Sequence, residues 1–139
     1  MPRDWTTSDV CFLEAVGDPL AEDDGDLAAV IFVGDHLSKA IFTREEIVEA
    51  VRRLTSAELI AIEDGRFRLT GAGASLRSRS PHREPLERMR WTKSVLRDEV
   101  EYDDTGQTWD LDPRAYALAI MHYGERFAAA YERVRQREH

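Results

Sequence analysis

Histidine and cysteine, the side chains best suited to hold a transition metal, are few in this 139-residue chain: His36, His82, His122, His139 and the single Cys11. The histidines share no ligand spacing with one another or with Cys11, no glycine-rich phosphate loop occurs, and no Ser-His-acid order stands in an interpretable context. Asp35-His36 could form a proton-sensitive or ligand-contacting pair, yet on a helix near Lys39 it reads as a surface Asp beside a packed or solvated His. Asp98, Glu101, Asp103 and Asp104 lack the alternation and terminal Glu of a calcium loop, and read as a solvated loop. Cys11, set between Val10 and Phe12, excludes a disulfide framework and reads as a buried, inert thiol. The expectation is a protein that is not an enzyme and holds no metal or cofactor.

Arginine is the remaining chemistry. The net charge of −8 argues against indiscriminate nucleic-acid binding. The charge is uneven, however: residues 1–42 are acidic, whereas Gly65 to Arg83 carries Arg66, Arg68, Arg77, Arg79 and Arg83 with no acid at all. Hydrophobic residues make up 42% and charged residues 33%, a balance that predicts a folded globular chain. No apolar run is long enough to cross a bilayer and the N-terminus lacks a signal-peptide layout, so the expected location is cytoplasmic, with no membrane partner.

Periodicity predicts the elements that would position these arginines. Val10, Leu13 and Val16 make an apolar ladder on a helix over 8–16, and Gly17 to Asp26 is turn-forming and acidic. A second helix spans about 27–40, with Gly34 a cost to it. Thr43 and Glu46 form a capping box for a third, from Thr43 to about Ala57, with Ile47, Val48, Val51 and Leu54 on its buried face. Leu59–Ile62 and Arg66–Thr70 flank an Asp64-Gly65 turn as a hairpin, Phe67 and Leu69 inward and both arginines outward. Thr70 caps a short fourth helix through Leu76.

The stretch FTREEIVEAVRRLTSAELIAIEDGRFRLTGAG, with Leu59-Ile60, Asp64-Gly65 and Leu69-Thr70-Gly71 in order, resembles the recognition helix and wing of MarR- and PadR-like winged-helix proteins. The likeness covers about half the chain. It departs at Glu58, where such families often have Gly, which leaves the helix C-cap open. The resemblance implies a mainly α (α+β) fold, a winged helix-turn-helix with a two-stranded wing. It also implies that the third helix is offered to the major groove with Arg44, Arg52 and Arg53, while Arg66 and Arg68 on the wing meet phosphates or the minor groove. Glu45, Glu46 and Glu49 on that helix oppose this. As a cap and as i+3 and i+4 partners of the arginines they suit a face that meets water.

The expected organisation is a winged-helix domain over 8–77, a linker over 78–85, and a C-terminal helical extension over 86–139. Pro85 to Val100 forms one helix of the extension, and Asp112-Pro113 starts another of roughly 25 residues. Along the latter Tyr116, Ile120, Tyr123, Phe127 and Tyr131 make a stripe that needs a partner surface. It folds back onto the winged domain or pairs with a second subunit as dimerisation helices; the homodimer is the expected state. The functional expectation is a winged-helix DNA-binding protein, a homodimeric transcriptional regulator with double-stranded DNA as partner. The alternative is a winged-helix protein-protein interaction module that binds a protein partner and no DNA.

Overall fold

Three side-chain caps decide where the first three helices begin. The computed structural model describes residues 4–19 and 25–137. Thr6 accepts from the Asp9 amide while Asp9 accepts from the Thr6 amide, a reciprocal box that starts α1 at Thr7–Gly17. Asp26 accepts from the Ala29 amide at the start of α2, Leu27–Ser38. Thr43 and Glu46 form the expected box ahead of α3, Arg44–Ser56. The acidic turn expected between α1 and α2 falls partly on 20–24, outside the described residues.

The open question at the end of α3 has a definite answer. Glu58 takes the left-handed conformation, φ 59°, in which its amide donates to Thr55 and the Leu59 amide reaches back to Leu54. That is a Schellman closure carried out by a glutamate. The chain then enters β1, Ile60–Glu63, and turns through Asp64 (φ 52°) and Gly65 (φ 73°) into β2, Arg66–Leu69. The strands pair antiparallel with Ile60 opposite Leu69 and Ile62 opposite Phe67. The Gly25 carbonyl also accepts from the Phe67 amide at 2.7 Å, which lays the approach to α2 against β2.

Thr70 caps α4, Gly71–Arg79, through the Gly73 amide. This helix outruns the expected end at Leu76, so the connection to α5, Pro85–Glu99, shrinks to 80–84. Gly73 is required by its neighbour: a Cβ there would sit 2.1 Å from the Leu59 carbonyl oxygen. Gly34 is likewise explained, because the Phe42 ring occupies the place of its missing side chain, 2.2 Å from an ideal Cβ. The last helix is α6, Pro113–Arg137. The architecture is mainly helical with one small two-stranded antiparallel sheet.

The core does not stop at residue 77. Phe12, Val30, Ile31, Ile47, Val51 and Leu54 form its centre, with Phe12 5.5 Å from the Phe67 ring and 5.6 Å from Phe42. Leu96, Tyr102, Leu111 and Ala119 from the C-terminal half are buried in the same cluster. Helix α6 lies on α2: the Tyr116 hydroxyl donates to the Phe42 carbonyl, the Tyr123 hydroxyl donates to Asp35, and Tyr123 packs on Phe32. The expected dimerisation stripe is thus met within the chain at Tyr116, Ile120 and Tyr123. The side chains of Phe127 and Tyr131 lie outside the described residues.

These contacts set three expectations. Replacing Glu58 by Gly removes the left-handed strain and raises stability by about 0.5–1 kcal/mol, after the entropy cost of Gly, in urea unfolding. Gly73→Ala forces α4 off the Leu59 carbonyl and lowers stability by about 1–3 kcal/mol. Equal midpoints for these variants and the parent would refute the backbone argument. The hydrogen bond to Asp35 pushes the Tyr123 hydroxyl up to about 12. Because the folded value is raised, the stabilisation from this contact is complete below the ordinary tyrosine value near about 10 and is lost as pH rises through 12. An ultraviolet titration should show the last tyrosine step disappear in Tyr123→Phe.

Candidate nucleic-acid interface

Helix α3 is amphipathic, so burying Ile47, Val51 and Leu54 turns Arg44, Arg52 and Arg53 away from the centre of the core. On an open winged domain this face would be free for a groove. Here residues 101–112 run along it in the opposite direction to the helix. At the C-terminal end of α3, Ser56 accepts from the Asp103 amide at 3.3 Å and Thr55 meets the Gln107 side chain at 3.3 Å. In the middle, Arg52 Nε donates to the Trp109 carbonyl at 2.7 Å. At the N-terminal end, Arg44 Nε donates to the Leu111 carbonyl at 2.5 Å and Nη2 to the Asp110 carboxylate at 3.1 Å.

Arg53 is the most deeply committed of the three. Its side chain is 16% exposed, and Nη1 lies 3.2 Å from Asp9, a carboxylate only 1% exposed. Nη2 lies 3.8 Å from Glu49 and Nε 3.6 Å from Asp104. The guanidinium sits 5.3 Å from the centre of the Tyr102 ring, which in turn packs edge-on to Trp5 at 4.9 Å. Trp5 Nε1 donates to the Val100 carbonyl at 2.9 Å. The segment is therefore a strap, anchored by polar contacts along α3 and by the buried Tyr102 and Leu111 beside it.

The hairpin offers little positive charge. Arg68 is bonded to Glu63 at 2.5 Å across the hairpin, and this contact holds the Glu63 carboxyl below its usual range. Asp64 is exposed at the tip, so Glu63, Asp64, Arg66 and Arg68 balance one another. Glu46, whose carboxyl is lowered by the Ser8 hydroxyl and the Thr43 amide, is occupied as a cap and as a tie to α1. The structure thus gathers Arg44, Arg52 and Arg53 beneath the strap, sets Arg66 and Arg68 apart on the hairpin, and places the Tyr116 group on α2.

Asp9, Tyr102, Trp109 and Leu111 join this site without any motif in the sequence that marks them. The signal available was the presence of Tyr102, Trp109 and Leu111 inside an acidic run assigned to solvent. The grouping of Asp98, Glu101, Asp103 and Asp104 does not bring acids together as a metal site; no group of three or more metal-binding side chains occurs among the described residues. Cys11 is buried, and burial pushes its thiol up to about 11, as suits an unreactive core position.

Removing Arg53 while Asp9 stays buried should be costly. Arg53→Met is expected to lower unfolding stability by about 3 kcal/mol or more, and Asp9→Asn combined with it by clearly less than the sum of the single changes. Additive losses would show that the two side chains do not depend on each other.

No family model, no curated protein and no solved structure matches the chain.

Proposed function

We propose that this chain is a winged-helix module that recognises a protein and does not dock duplex DNA through α3. The helix order, the Asp-Gly hairpin and the Gly25–Phe67 main-chain bond support the winged helix-turn-helix reading. The strap over α3 is the observation that carries the functional reading. A helix with its side chains is about 10–12 Å across and the major groove about 12 Å wide, so a helix with a peptide segment alongside no longer fits. Arg44 and Arg52 already bond main-chain carbonyls and a carboxylate of residues 109–111, and Arg53 is ion-paired with Asp104.

What remains exposed around the strap is acidic: Glu45, Glu49, Glu58, Asp103 and Asp110. Phosphate is repelled by such a rim, whereas a basic protein surface is complementary to it. No helix among the described residues is long and apolar enough to cross a membrane.

Fluorescence anisotropy with mixed duplex fragments, at low and at physiological ionic strength, tests the reading. The expected result is no salt-sensitive binding at either. Binding that weakens steeply with salt would restore the DNA-binding regulator, and loss of that slope in Arg66→Ala with Arg68→Ala would locate it at the wing. The mass in solution, recorded in the same experiment, tells whether two copies join.

A further inference from the structure

Away from α3, a cavity of about 400 Å³ opens between the end of α1, helix α4, the 80–84 connection and the start of α5. Its volume falls in the range of small-ligand pockets. Three guanidiniums line it, from three different segments: Arg77 on α4, Arg83 on the connection and Arg88 on α5. His82, Ser78 and Ser80 add further hydrogen-bonding groups, and no acidic side chain among the described residues lines the walls.

Among the described residues one buried carboxylate serves two of these cations. Glu14, 4% exposed, is engaged by Arg88, whose Nε donates to it at 2.7 Å. The same carboxylate oxygen lies 3.5 Å from Arg77 Nη2, so one anion faces two guanidiniums. Arg77 Nε is buried with no hydrogen-bond partner among the described residues. Asp18 and Glu84 act on Arg88 from outside the cavity walls, and the Glu84 carboxylate is used to cap α5. Arg83 is exposed, and its main-chain carbonyl accepts from Arg88 Nη1 at 3.2 Å, which ties the connection to α5. Gly17 makes the floor possible, since a Cβ there would lie 2.9 Å from Arg77 Cδ.

We propose that this cavity binds a small phosphorylated molecule, with Arg77 and Arg83 bonding the phosphate oxygens and Arg88, fixed by Glu14, forming the inner wall. Arginine forks match phosphate oxygens in pairs, and a cavity of this size has room for a phosphate together with the small organic group that bears it. The inference is independent of what α3 contacts.

The test uses the full chain and inorganic pyrophosphate as probe, by isothermal titration calorimetry and by amide chemical-shift mapping at constant ionic strength. Saturable binding with shifts centred on residues 77–88 is expected. Arg83→Gln should weaken it at least about tenfold, the loss of charge-assisted bonds, and His82→Ala should weaken it less. Both side chains are exposed, so the fold should survive, as circular dichroism would show. Arg66→Gln on the wing should leave binding unchanged. The proposal is overturned by absence of saturable binding, by shifts centred elsewhere, or by equal weakening in Arg66→Gln and Arg83→Gln, which would mark diffuse attraction of an anion to positive charge.

Discussion

A carboxylate withdrawn from water costs several kcal/mol unless its charge is met, and Asp9 is such a carboxylate. Much of the molecule is arranged around meeting it. Its position in the first turn of α1 is fixed by the box with Thr6, which uses one oxygen on a main-chain amide. Arg53 must then approach from α3, and that sets how α1 lies across α3. Once there, the guanidinium has a face and donors to spare. Tyr102 covers the face, Glu49 and Asp104 take the remaining charge, and Trp5 closes over Tyr102. The path of residues 100–104 follows from one buried acid near the other end of the chain.

That chain of dependence bears on function. An amphipathic helix presents its polar face outward, but whether that face is available is decided by what else the chain does with it. Here the arginines are structural partners of the strap. Their exchange for DNA phosphates would require not only the release of three guanidiniums but the exposure of Tyr102 and Leu111, both buried. The geometry favours a surface shaped by the strap, in which arginine supplies internal bonds and acid supplies the outer charge.

Local chemistry was legible in the sequence. The Thr43 and Glu46 box, the Asp64-Gly65 turn, the Thr70 cap and the Asp112-Pro113 start of α6 each involve residues within a few positions of one another, and each forms as read. Thr6-Thr7-Ser8-Asp9 carries the same kind of local signal for α1. Residues 101–112 were not legible, because their partners lie far away in sequence: Trp109 meets Arg52 and Leu111 meets Arg44 through main-chain oxygens that any residue possesses. Gly34 looked like a cost to α2, and its reason lies in a ring eight positions later that fills the vacant space. Periodicity found the aromatic stripe of α6 without saying which surface would receive it.

The bond from the Trp5 indole to the Val100 carbonyl joins residues 95 positions apart. For a chain made from its N-terminus onward, α1 through α4 can gather their own hydrophobic faces early, but Trp5 finds its ring partner and its acceptor only after residue 102 has been made. Until then the outer face of α3 stands bare. The order of synthesis therefore gives the nascent protein an interval in which Arg44 and Arg52 face the surrounding solution, and completion of the strap is the event that withdraws them.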